Sequence, residues 1–278
     1  MRARAEPASR AACALALGLV VAFLAVPIVA LVAEAPLGDV PSLLGRKVVQ
    51  DALWVTVKTN LVANVLILGL GTPAAWLLAT RRFRGRAAIV TLCELPLVLP
   101  PAVAGIALLS AFGRDGLFGD ALHSVGIDLP FGPAAVVLAV TFVASPFYLR
   151  QAIAAFEAVD PEFTDVARTL GVSRTRAFWR VALPLARGGL VAGWVLAFAR
   201  GIGEFGATII FAGSVQGRTT TLPLAVYQQL DVSLDIALAL GVVLLALSAG
   251  VLISYKLIGG WRRSNSTSPR DFATSLSI

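Results

Sequence analysis

An all-α integral membrane protein with six spanning helices is the architecture that this 278-residue sequence predicts. Three observations carry the prediction. The residues are 58% hydrophobic and 14% charged, with a mean hydropathy of +0.84, whereas a soluble domain sits near half apolar and about a quarter charged. The apolar residues fall in blocks long enough to cross a hydrocarbon core of about 30 Å as helices. Lysine and arginine gather on alternate connections, the asymmetry that sets membrane orientation.

The first block, residues 11–33, follows Arg2, Arg4 and Arg10 and ends at Glu34. It exceeds the about 7–15 apolar residues of a cleaved signal peptide, so it is expected to be a retained first span. Later blocks cover about 53–79, 87–112, 133–149, 188–212 and 236–257. With the N-terminus inside, cytoplasmic segments hold Arg2, Arg4 and Arg10, then Arg81, Arg82, Arg84 and Arg86, then Arg150, Arg168, Arg174, Arg176, Arg180 and Arg187, then Lys256, Arg262, Arg263 and Arg270. External segments hold only Arg46, Lys47, Arg114 and Arg218, with Lys58 near the start of the second span. Both termini are therefore expected in the cytoplasm: a cytoplasmic N-terminus at 1–10, a six-helix transmembrane domain at 11–260, and a polar cytoplasmic tail at 261–278.

Composition narrows the function. Cys13 and Cys93 lie inside apolar blocks, which argues against a disulfide framework, and a lone His123 builds no zinc cluster. A net charge of +7 could suggest nucleic acid, but the basic residues fall where membrane topology wants them, so no nucleic-acid partner is expected. No G-x-x-x-x-G-K-[ST] phosphate loop occurs, so the chain is not itself an ATPase. An intramembrane hydrolase lacks its constellation, because Ser110, Ser145 and Ser248 have no histidine at membrane depth. A channel without energy coupling stays open at this point.

The connection 150–187 is the longest between blocks. Asp160 and Pro161 read as N-cap and first residue of a helix whose first turn carries Glu162 and Asp165. Gly171 fits just past its end. Ser173 caps a second helix, SRTRAFWRVA, expected to stop at Leu183-Pro184. Phe163, Val166, Ala167 and Leu170 recur at spacings of three and four and form one apolar stripe. That stripe could pack back on the bundle, hold a protein partner, or belong to a DNA-binding helix-turn-helix.

In the fifth block Arg200 and Glu204 stand four apart, on one face of a continuous helix. Counted from Gly188 at 1.5 Å per residue, Arg200 lies about 18 Å along, near the membrane centre. Such charges usually face a bundle interior or aqueous path. The pair could simply neutralise itself, or Arg200 could offer a passing anion positive charge while Glu204 holds it in place. Gly201, Gly203 and Gly206 permit close helix approach and suggest a subunit interface. In the third block Pro96, Pro100 and Pro101 strain one helical run, as suits a helix beside a pathway or a packed kink. Glu94 is expected to pair with an arginine, Lys58 to snorkel, and Asn60 and Asn64 to bond between helices.

The stretch D165-V-A-R-T-L-G171, then nine intervening residues, then V181-A-L-P184, resembles the signature E-A-A-x3-G-x9-I-x-L-P of bacterial binding-protein-dependent ABC importer permeases. Asp165 replaces Glu, Val166 the first Ala and Val181 the Ile; Ala167, Gly171, Leu183 and Pro184 match. The resemblance implies the six-helix type I, MetI-like fold in the bacterial cytoplasmic membrane. It also implies a coupling helix resting on a separate ATP-hydrolysing subunit, with Phe163, Asp165, Val166, Ala167, Leu170, Gly171, Leu183 and Pro184 in the coupling segment. LPLVLPP (95–101), AFEAVDPEF (155–163) and ARGIGEFGAT (199–208) resemble the molybdate branch of that family, with sulfate/thiosulfate permeases as near relatives and tungstate as a further cargo. Arg200, Gly203, Glu204, Phe205, Gly206, Thr208, Pro100 and Pro101 would then belong to the translocation pathway. The implied partners are a second permease copy, two ATP-binding subunits that hold ATP and magnesium, a periplasmic or lipid-anchored oxyanion-binding protein, and membrane lipid. No cofactor or metal is expected in this chain.

Overall fold

A computed structural model describes residues 7–264, with side chains over 11–257. The expectations for residues 1–6 and for the tail beyond 264 lie outside the described residues. Within them the chain is helical, without a strand.

Helix α1 (Pro7–Glu34) stands apart from the rest, with Phe23 78% exposed. It approaches the last helix, where Leu31 meets Gly241. The short α2 (Val40–Leu44) leads into α3 (Lys47–Thr80), which packs along α7 (Pro133–Glu157) and the later α10 to build the core. Small residues permit the approach. A Cβ on Gly71 would lie 2.9 Å from the Tyr148 ring, and the buried Tyr148 hydroxyl bonds Thr72 Oγ1 at 2.6 Å. Buried polar groups in an apolar bundle need such partners, because no water replaces them.

The third block is not one straight rod. It divides into α4 (Arg86–Val98) and α5 (Pro101–Phe112), bent by 117°. Leu99 and Pro100 take extended backbone, with ψ of 131° and 136°. Neither Pro100 nor Pro101 has an N–H to continue the ladder, so the two prolines end one helix and start the next. Pro96, by contrast, is absorbed within α4.

After α6 (Gly119–Ser124), α7 continues past the expected end at Leu149 to Glu157. Arg150 therefore sits on the helix, 4.0 Å from Glu94, which identifies that carboxylate's partner. Then come α8 (Pro161–Thr169) and α9 (Arg174–Ala177). The second helix of the connection does not stop at Leu183-Pro184. It passes through a π turn, Phe178–Ala182, straight into α10 (Leu183–Ile202). Leu183 N–H donates to Phe178 O, and the widened turn lets the helix take in Pro184, which has no N–H to give. The result is a helical run Arg174–Ile202 of 29 residues.

The fifth block ends early. Helix α10 stops at Ile202, residues 203–205 leave the helix, and α11 (Gly206–Phe211) begins anew. Helix α12 (Leu222–Leu230), which the sequence did not suggest, precedes α13 (Leu234–Ser264). Five helices are long and apolar enough to span a membrane, and six spans result if the bent α4–α5 pair counts as one.

Candidate functional site

Two places carry the candidate residues: the bent connection around α8, and the crossing of the two broken helices.

Local chemistry shapes the connection. Asp160 Oδ1 accepts from Glu162 N–H at 2.9 Å, and Ser173 Oγ accepts from Arg176 N–H at 3.4 Å. Gly171 lies at φ +84°, where a Cβ is strained. Asp165 pairs with Arg168 at 3.7 Å. The apolar stripe does not fold back on the bundle: Phe163 is 58%, Val166 50% and Leu170 79% exposed. The segment is pinned elsewhere. Phe178 is buried, its ring centroid 4.9 Å from Trp76 and 6.1 Å from Phe156. Of the three uses left open by the sequence, bundle packing is excluded by this exposure. The basic residues Arg174, Arg176 and Arg180 stand on a helical run that continues into a membrane-length helix, whereas a helix-turn-helix needs a free recognition helix. Ala167 and Leu183 are half-buried and Pro184 exposed.

At the crossing, Arg200 lies in the last turn of α10, not midway along a rod, and Glu204 lies beyond the helix end at Gly203. The pair is therefore not on one continuous face. It forms across the break, with Arg200 Nη2 2.8 Å from Glu204 Oε2. Glu204 is buried while the Arg200 side chain keeps 27% exposure. The other carboxylate oxygen, Oε1, accepts Ala207 N–H at 2.8 Å and so caps the start of α11. One residue thus holds both an arginine and a helix.

Two of the three glycines of this stretch, Gly201 and Gly206, are used for close packing within the chain. A Cβ on Gly206 would lie 2.6 Å from Pro101 Cβ, and one on Gly105 2.7 Å from Ile210 Cβ. These two glycines let α5 and α11 touch, which brings the Pro100-Pro101 break beside the Gly203–Gly206 break. Gly201 packs on Asn60 and Val140, whereas Gly203 faces open space. Phe205 leans on Tyr227 with ring centroids 5.1 Å apart. Thr208 is buried, whereas Pro100 and Pro101 are exposed.

One group was underweighted by sequence reasoning. Thr56, Asn60 and Asn64, each buried, share a face of α3. Asn60 Nδ2 donates to Phe198 O at 3.1 Å, gripping the end of α10. Asn64 Nδ2 donates to Asn60 O at 2.8 Å, and Thr56 Oγ1 accepts Leu222 N–H at 2.7 Å. Their spacing of four in an apolar helix was the available signal.

Membrane-length apolar helices, two of them broken where they meet, with an amphipathic helix held clear of the bundle at the other end of the Arg174–Ile202 run, define a multi-pass membrane protein. Residues 71–263 match the binding-protein-dependent transport system inner membrane component family, and the chain belongs to that family. It is 45% identical, over 84% of its length and 88% of the relative's, to the molybdenum transport system permease protein ModB of Mycobacterium tuberculosis. It is 41% identical to ModB of Escherichia coli K12, over 64% of this chain and 78% of that one. The sulfate transport system permease protein CysW of Synechocystis is 36% identical over 77% and 78% of the two chains. The fold is shared with the MetNI methionine ABC transporter (TM-score 0.59, 20% identity, 78% of this chain and 94% of that one). It is shared also with a bacterial ABC transporter involved in alginate import (TM-score 0.69, 14% identity, 91% and 95%). The architecture is that of a MetI-like ABC importer permease.

Proposed function

We propose that this chain forms the translocation pathway of an ATP-driven oxyanion importer, with molybdate as its cargo and tungstate as a close mimic. The observation that carries the coupled mechanism is the uncovered stripe Phe163, Val166 and Leu170, an apolar face on a capped helix with no partner in its own bundle. Such a face calls for a protein groove. Its occupant is a separate ATPase subunit, which binds ATP and magnesium; this chain contributes no catalytic group. Two permease copies and two such subunits assemble, and a periplasmic or lipid-anchored binding protein delivers the anion.

Because α9 is continuous with α10 through the π turn, displacement of α8 and α9 is transmitted along one rigid rod to Arg200 at its far end. There Arg200 offers positive charge to the anion, and Glu204 orients it and secures α11. Alternating access then needs only that ATP binding favour one of two arrangements of these helices. The likeness to ModB proteins over most of the chain supports molybdate. The likeness to CysW supports sulfate as the second reading.

The test is uptake into proteoliposomes holding the permease, its partner ATPase and binding protein. Radiolabelled molybdate should accumulate only with ATP and the ATPase. Competition by tungstate but not sulfate supports the molybdate reading; stronger competition by sulfate favours the second. Uptake without the ATPase would indicate a channel.

A further inference from the structure

A cleft of about 640 Å³ lies between α8, the end of α3 and the end of α7. It is lined by the face of α8 opposite the apolar stripe: Pro161, Thr164, Asp165 and Arg168. The coupling face is thus on one side of this helix and the cleft on the other.

Charge in the cleft is unbalanced. Arg81, Arg82, Arg86, Arg168 and Arg174 line it, against the carboxylates Glu157, Asp160 and Asp165. Each carboxylate is engaged: Glu157 with Arg86 at 2.5 Å, Asp160 in capping Glu162 N–H at 2.9 Å, Asp165 with Arg168 at 3.7 Å. Arg81, Arg82 and Arg174 are exposed and form no ion pair among the described residues. Guanidinium forks suit a tetrahedral oxyanion, which takes several charge-assisted hydrogen bonds at once. Basic pockets at the cytoplasmic ends of membrane helices bind anionic headgroups by the same chemistry.

From this arrangement we infer that the cleft is an anion site distinct from the translocation pathway. It takes a phosphate-like tetrahedral group, from a lipid headgroup or a free oxyanion, and wedges α8 against the bundle. The binding rests on the cleft alone; its consequence for transport rests on the coupling role proposed for α8. Joining Arg81 at the end of α3 to Arg168 on α8 through one anion would restrict the movement that the coupling helix must make.

The experiment uses the full chain in phosphatidylcholine nanodiscs, read by thermal unfolding. One arm titrates sodium molybdate; the other replaces phosphatidylcholine stepwise with phosphatidylglycerol. A rise in the midpoint is expected in at least one arm. The arm whose response the cleft variant below weakens identifies the source of the anion. Arg81→Gln/Arg174→Gln should shift half-saturation at least tenfold upward, whereas Arg114→Gln, outside the cleft, should leave it unchanged. Both cleft arginines are exposed, so the double variant should fold as the parent does; its own midpoint without anion checks this. No stabilisation in either arm, or an undiminished response in the double variant, overturns the site. Repeating the titration on Phe163→Asp separates the two readings. Retained anion stabilisation together with undiminished ATPase co-purification sinks the coupling reading and spares the site.

Discussion

Glu204 has two separable roles, and two substitutions should pull them apart. Its Oε1 accepts Ala207 N–H at 2.8 Å, and its Oε2 stands 2.8 Å from Arg200 Nη2. Glu204→Ala removes both. Stranding a buried N–H costs about 1–3 kcal/mol. Losing the ion partner costs about 3–5 kcal/mol for a fully buried pair and about 0–1 kcal/mol for an exposed one. Arg200 keeps 27% exposure, so about 1–3 kcal/mol applies here between those limits. Glu204→Gln keeps an amide oxygen for Ala207 but sets an NH2 donor where Oε2 stood, so it gives up both the charge and the acceptor that faced Arg200. Alanine should therefore be the less stable by about 1–3 kcal/mol, the value of the cap. Unfolding by SDS in mixed micelles reads this difference. Uptake reads the positioning of the arginine, because both variants free Arg200 and both should lose molybdate flux. Equal destabilisation by Gln and Ala would refute the cap. Unchanged flux in Glu204→Gln would refute the positioning of Arg200.

Three further outcomes are expected. Phe163→Asp places a carboxylate in the exposed stripe and should abolish co-purification of the ATPase subunit, with the permease's own unfolding unaltered; undiminished recovery counts against this docking face. Gly171→Val forces a β-branched residue to φ +84°, at about 1–2 kcal/mol of local strain, and should uncouple ATP hydrolysis from uptake while helix content by circular dichroism stays constant. Arg200→Gln should lower molybdate uptake with ATPase docking intact; parental uptake would leave Arg200 a purely structural role.

The caps of α8 and α9 were legible because they depend on neighbours in sequence. Asp160, Pro161, Gly171 and Ser173 each act within one turn, and all four take the geometry their chemistry favours. Spanning blocks were legible because hydrocarbon thickness imposes a length that apolar runs reveal. The breaks were less so. The prolines at 96, 100 and 101 look alike in sequence, yet α4 absorbs Pro96 while Pro100 and Pro101 accompany a turn of 117°. Pro184 looked like a stop and proved to lie inside a continuous run, because a π turn accommodated it. Arg200 and Glu204 were legible as partners but not as partners across a break.

What the sequence determined by itself is therefore the class of solvent, the spans, and the amphipathic helix between the fourth and fifth of them. These follow from composition and from hydrogen bonds that close within a few residues. Only the tertiary structure decided that the stripe on α8 is uncovered, that Gly105 and Gly206 bring two broken helices together, and that Asn60 grips Phe198 across 138 positions of chain. Those outcomes depend on which surfaces meet, and periodicity along one helix carries no record of its neighbour.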